Sequence, residues 1–379
     1  KFLEDLDVNV VQLVGGQNTK TRRIILEEIS SGKADIIVGT HALFQSDIQY
    51  SNLALAVIDE QHRFGVAQRA ELIDLGNRSF INKDAAPHIL VMTATPIPRT
   101  LSMTFYGDLD ISVIKTKPKN RKPVKTKVVF ESSYDDIFKF IRDEIKKGRQ
   151  AYIVYPLVEK SEKLELKSAV EHYEKINNEI YPDLSCGLLH GQMFWYEKEE
   201  VMQSFLEKEY SILVATTVIE VGIDVPNATI MMIENSERFG LSQLHQLRGR
   251  VGRGADQSYC FLMTKDHFKY QIRNKAQREQ EKKAAIIRLR TMEDTTDGFK
   301  ISEVDLKLRG PGDVMGTKQS GLPEFRHADI INDADLIDTV KRRAENILKV
   351  DPHLRKPENL IVRKNIQKRS KIKDYFDIA

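Results

Sequence analysis

The sequence predicts an α/β protein: two parallel-sheet lobes, the first incomplete, followed by a mainly helical C-terminal region. Three observations carry this expectation. Over the first 235 residues, short β-branched runs alternate with amphipathic helical stretches. That is the pattern of parallel strands covered by helices on both faces. Segment 115–127, with two prolines and seven basic residues, interrupts the alternation and reads as a linker. From about Gln271 the alternation stops, and long charged helices take over around a Gly/Pro-rich stretch at 309–323.

Taken in order, strands are expected at 35–38, 53–58 and 88–92 in the first lobe. In the second they are expected at 127–130, 151–155, 187–189, 212–215 and 229–233. Helices are expected at 21–30, 134–147, 162–178 and 197–208, and a rigid helical arm at 265–290. The domains are then 1–117, 118–270 and 271–379. Three strands before the linker are few for an α/β sheet, so the chain is expected to begin inside a domain.

Composition narrows the class. A hydrophobic fraction of 41% beside 30% charged residues excludes a disordered or fibrous chain. Two cysteines, Cys186 and Cys260, cannot form a disulfide framework or a four-thiolate zinc site, so a reducing cytosol fits. Cys186 with His190 imitates a metal pair but lacks further ligands. Apolar runs fall far short of the ~20 residues of a membrane span, and the charged opening Lys1-Phe2-Leu3-Glu4-Asp5 is no signal peptide. Residues 1–270 carry 34 Lys+Arg against 37 Asp+Glu, whereas 271–379 carry 24 against 18. A basic end on a near-neutral body suits either a polyanionic partner or a solvated helical surface.

Four motifs carry chemistry. Asp59-Glu60-Gln61-His62 closes a buried strand, where α/β sheets bind ligands. There Asp59 can hold Mg²⁺ through water and Glu60 can deprotonate an attacking water, although acidic pairs are also common in loops. Thr93-Ala94-Thr95-Pro96 ends the next strand, with hydroxyls placed to sense the carboxylate pair. In the second lobe, Thr216 and Thr217 lead to Glu220-Val221-Gly222-Ile223-Asp224-Val225-Pro226. Downstream, Gln246-Leu247-Arg248-Gly249-Arg250-Val251-Gly252-Arg253-Gly254 puts two arginines three residues apart, with glycines that admit a phosphate chain. Arginine forks suit phosphate oxygens and transition-state charge.

In this order, on two α/β lobes, the motifs resemble those of superfamily 2 helicases and translocases, whose two RecA-like lobes bind ATP together. The C-terminal segment narrows the likeness. Arg288-Leu289, Thr296–Phe299, Asp305-Leu306-Lys307-Leu308-Arg309-Gly310-Pro311-Gly312-Asp313 and Gly316-Thr317-Lys318-Gln319-Ser320-Gly321 resemble the translocation motif of the DNA-repair translocases RecG and Mfd. The wording from Gly316 through Phe325-Arg326 favours the RecG family.

That resemblance implies an ATP-dependent DNA helicase acting in repair and recombination, with ATP and Mg²⁺ as cofactors and branched double-stranded DNA as partner. Forks and Holliday junctions are the implied substrates, the bacterial cytoplasm and nucleoid the implied location, and a single-stranded DNA-binding protein a further partner. Asp59 and Glu60 become the Mg²⁺ and water-activating pair, with Gln61 and His62 beside them, and Arg250 and Arg253 reach the γ-phosphate. Thr93, Thr95, Gly222, Asp224 and Gln246 bind nucleotide or couple its state. Thr40, His41, His190, Gly191 and Thr216 grip the DNA backbone, and Arg288, Arg309 and Gln319 drive translocation.

One element of the family pattern is missing. The phosphate-cradling string Gly-x-x-x-x-Gly-Lys-Ser/Thr does not occur; Lys20-Thr21 and Gly32-Lys33 each miss it at two positions. In the family that loop and the fork-binding wedge lie upstream of the segment matched by residue 1. The chain is therefore expected to be a C-terminal fragment that hydrolyses ATP poorly by itself. Competing expectations are an Mfd-like translocase that displaces stalled RNA polymerase and a non-enzymatic DNA-binding module.

Overall fold

The computed structural model describes residues 3, 5–45, 47–60, 87–93, 112–114, 116, 121–156, 162–216, 224–269, 277–309 and 333–369. The chain divides into two compact units, 1–94 together with 353–379, and 95–352.

In the first unit, strand β1 (Val10–Leu13) pairs in parallel with β2 (Ile36–Gly39), and β3 (Leu55–Ile58) with β4 (His88–Val91). Helix α1 (Thr19–Ser31) connects β1 to β2. Its start is fixed by Asn18, whose side chain accepts from the amides of Lys20 and Thr21, and its end by Gly32 at φ 75°. Gly39 is required where β2 ends: a Cβ there would lie 2.1 Å from the Leu13 carbonyl oxygen. Leu13, Ile29, Ile48 and Ile58 form the core of this unit.

The second unit is built on a six-stranded, all-parallel sheet. Its strands are β5 (Lys125–Phe130), β6 (Gln150–Val154), β7 (Cys186–Leu189), β8 (Ile212–Ala215), β9 (Ala228–Ile233) and β10 (Tyr259–Thr264), in the order β5-β10-β9-β6-β8-β7. β6, β8 and β9 are buried along their whole length, which is why they read as unbroken apolar runs. Successive residues face opposite cores. Tyr152 and Val154 join one; Ala151 and Ile153 join the other. The second core is closed by helices α2 (Tyr134–Lys146) and α3 (Glu162–Glu174), the latter running on as a π-helix over Lys175–Ile180. The first is closed by α4 (Trp195–Leu206), α5 (Leu241–Arg248), α6 (Gln277–Asp294) and α7 (Gly298–Arg309). Cys186 and Cys260 are both buried and free. Helix α8 (Ala334–Val350) follows in this unit, and α9 (Leu360–Arg369) belongs to the first.

The architecture is the expected one: α/β with RecA-like parallel sheets and a mainly helical C-terminal region. Three details differ from expectation. Strands β1 and β10 were not foreseen, because β1 alternates exposed and buried residues and β10 follows the Arg/Gly motif without a helix between. Within the expected helical arm, 266–268 form a separate 3₁₀ turn and the described helix is Gln277–Asp294, with 270–276 outside the described residues. Among the described residues, cover on both faces is seen for the second sheet, whereas in the first unit Val38, Leu55, Val57 and Leu90 are exposed.

Candidate active site and nucleic-acid interface

In the first unit, Asp59 and Glu60 follow directly on β3. Their turn is sharp: Glu60 takes φ 53°, a left-handed conformation, and its amide donates to Asp59 Oδ1 at 2.9 Å. Met92 on the neighbouring strand donates to the Ile58 carbonyl at 2.8 Å, so Thr93 ends level with the acidic pair. Asp59 is exposed; with one carboxylate oxygen held by the backbone, the residue suits a cation bound through water. Thr40 and His41 are exposed where β2 gives way to a 3₁₀ turn, His41 lying edge-on to Phe44 at 6.5 Å. Gln61, His62 and Thr95 lie outside the described residues.

In the second unit the named residues gather at the carboxyl ends of the strands. His190 and Gly191 follow β7, and Thr216 follows β8. The Thr216 amide donates to the Leu189 carbonyl at 3.1 Å, and its buried hydroxyl has no hydrogen-bond partner among the described residues. Asp224 reaches the Arg/Gly motif, its Oδ1 3.6 Å from Arg253 Nη1. Both side chains are part-exposed, so the pair contributes little stability and chiefly brings two motifs together. Arg253 also donates to the Gly249 carbonyl at 3.3 Å, and Arg250 is half-buried just after α5. Gln246 sits half-buried on α5 itself.

The glycines of the motif are packing positions. Gly252 takes φ 78°, and a Cβ on it would meet Val124 Cγ2 at 2.7 Å; one on Gly254 would meet the Pro226 carbonyl oxygen at 2.7 Å. Arg121 Nε donates to the Gly252 carbonyl at 2.8 Å, so the end of the expected linker is packed against the motif. Gly222 and Gln319 lie outside the described residues, as does the Arg309 side chain at the end of α7. Arg288 lies on α6 and donates to the Glu237 carbonyl at 2.8 Å, tying that helix to the turn after β9.

Two groups carry weight that the motif reading did not give them. Arg248 is 3% exposed and donates from Nη1 to the carbonyls of Met292 and Thr295, both at 2.8 Å. It therefore satisfies the end of α6, and burial lowers its pKa. Only its place beside the two named arginines hinted at this. Glu234, just after β9, is pushed up to about 7 mainly by burial, with Tyr134 donating to its Oε2 at 3.5 Å. No pattern in the sequence marks it.

Residues 1–104 match the family described as DEAD/DEAH box helicase, and 133–255 the helicase conserved C-terminal domain. Residues 295–377 match "ATP-dependent DNA helicase RecG, domain 3, C-terminal". The chain is RecG-like. The ATP-dependent DNA helicase RecG of Synechocystis is 48% identical over 342 residues, which is 90% of this chain and 38% of that protein. That of Bacillus subtilis is 44% identical over 97% of this chain and 51% of its own length. The RecG-like chain thus spans about two-fifths to half of such relatives. Among solved structures, RecG bound to a three-way DNA junction is 43% identical with TM-score 0.61, covering 89% of this chain and 40% of that one. The helicase MrfA bound to DNA and AMPPNP, 14% identical with TM-score 0.54, shares the fold.

Among the described residues no helix is long and apolar enough to cross a membrane, and no group of three or more His, Cys, Asp or Glu is placed to hold a metal.

Proposed function

We propose that the chain is the motor portion of an ATP-dependent double-stranded DNA translocase that remodels stalled replication forks and branch-migrates Holliday junctions. The observation that carries this is the RecG domain 3 match at 295–377 following two helicase matches in one chain. In this reading Asp59 holds Mg²⁺ through water and Glu60 accepts the proton of the attacking water. Arg250 and Arg253 stabilise charge on the transferred phosphoryl group, with Asp224 steering Arg253. Bound ATP supplies the free energy; the residues of this chain position water and read phosphate. The phosphate loop is absent from residues 1–379, so appreciable ATPase activity belongs to a longer protein. Thr40, His41, His190, Gly191 and Thr216 contact the DNA backbone, and Arg288, Arg309 and Gln319 couple movement. Gln61, His62, Thr93, Thr95, Gly222 and Gln246 serve nucleotide sensing.

Boundaries at 117/118 and 270/271, a bacterial cytoplasmic, nucleoid-associated location and a single-stranded DNA-binding protein partner belong to the same reading. The RecG domain 3 match favours it over an Mfd-like translocase.

The test is binding of the chain to a labelled three-way junction, a duplex and a single strand between about 50 and 200 mM salt. Phosphate-led binding predicts a steep fall in affinity with salt and a preference for the junction. Equal binding at both salt concentrations, or none to any DNA, overturns the reading.

A further inference from the structure

The turn from β7 into α4 carries three consecutive aromatic residues that the chemistry so far leaves unused. Phe194, Trp195 and Tyr196 are 64%, 74% and 52% exposed. The Phe194 and Tyr196 rings lie parallel, 6° apart in plane with centroids at 5.5 Å, and Trp195 stands edge-on to Tyr196 at 6.0 Å. Core packing does not account for them, since the helix is anchored by the buried Met202 and Phe205 further along α4 while all three rings stay exposed.

The support beneath the rings is fixed. The Phe194 amide donates to Glu197 Oε2 at 2.6 Å, and Lys198 Nζ reaches back to the Gly191 carbonyl at 2.8 Å. The trio is thus held at the carboxyl end of the second parallel sheet, where Thr216 also lies and where such sheets bind ligands.

From this geometry we infer that Phe194, Trp195 and Tyr196 form a stacking platform for an unpaired nucleobase of a DNA strand. Planar exposed rings offer the π-face contact that bases accept without regard to sequence. Glu199 and Glu200, exposed on the next turn, repel phosphate, so the uncharged base is the part of the strand that fits here. The inference rests on the DNA-motor reading and adds to it a contact with single-stranded rather than duplex DNA.

Trp195 is the one tryptophan in the sequence, so its emission reports on the platform directly. The experiment titrates the chain with a labelled oligothymidylate, an abasic oligonucleotide of equal length and charge, and a blunt duplex. Oligothymidylate quenches Trp195 emission and the abasic strand does not. Trp195→Ala weakens oligothymidylate binding about five- to 150-fold, the range set by stacking of one base. Duplex affinity stays unchanged, and Trp195→Phe restores most of the loss. Equal quenching or affinity with the abasic strand overturns the inference, as does unchanged binding by Trp195→Ala with native circular dichroism. So does concentration-dependent self-association abolished by Trp195→Ala, which would make the trio a protein-docking surface. Failure to bind any of the three DNAs refutes the motor reading itself, a distinguishable result.

Discussion

Replacing Arg248 by Met separates a structural arginine from the two arginines proposed to read phosphate, two and five residues further on. Methionine keeps much of the volume but leaves the Met292 and Thr295 carbonyls, each now receiving a 2.8 Å bond, without a donor. A buried carbonyl left unsatisfied, as that of Met292 would be, costs about 1–3 kcal/mol and the part-buried Thr295 carbonyl less, partly offset because a buried cation is no longer desolvated. The net loss is about 2–4 kcal/mol, or roughly 5–15 °C in Tm for a unit of this size. Arg248→Lys loses nearly as much, because one ammonium cannot reproduce the guanidinium fork that also reaches His245 Nδ1 at 3.2 Å. The assay is thermal unfolding of the chain followed by circular dichroism. A Tm within about 2 °C of wild type for both variants would refute the bracing role, and lost DNA or nucleotide binding at unchanged Tm would move Arg248 into the site.

Glu234 gives a pH signature. Its folded pKa of about 7 lies above the unfolded 4.5, so the folded state holds the proton longer. Stability contributed by this group is complete below pH 4.5 and is lost as pH rises toward 7. Glu234→Gln flattens that slope, read from denaturant midpoints at pH 5 and pH 8. In the full-length protein, Glu60→Gln keeps nucleotide affinity while lowering DNA-stimulated turnover about 10²- to 10⁴-fold, since an amide cannot accept the proton; near-normal turnover removes Glu60 from that role. There too, Arg309→Ala and Gln319→Ala retain ATPase activity and melting temperature but abolish fork unwinding. Unwinding at the wild-type rate would show that the segment does not couple.

How legible all this was depends on the physics behind each pattern. β8 was read to the residue, because a strand buried on both faces leaves an unbroken apolar run. β1 escaped notice because only Val11 and Leu13 turn inward. Asp224 and Arg253 announced themselves as motif residues, but their mutual approach is a tertiary fact, since they stand 29 positions apart in sequence. Arg248 looked like its neighbours; only the fold shows that its partners are helix-end carbonyls 44 and 47 residues away. Glu234 had no signature, since its burial comes from strands and helices distant in the chain.

The two cysteines have a practical consequence for watching the protein work. Burial holds the Cys186 thiol up at about 11 and Cys260 at about 12. At neutral pH both thiols therefore stay protonated. Maleimide dyes attack thiolates, so the natural protein is nearly silent toward them. A pair of surface cysteines, one in each compact unit, can therefore take a donor and an acceptor dye without first deleting the native thiols. Distance changes during DNA binding then become readable one molecule at a time.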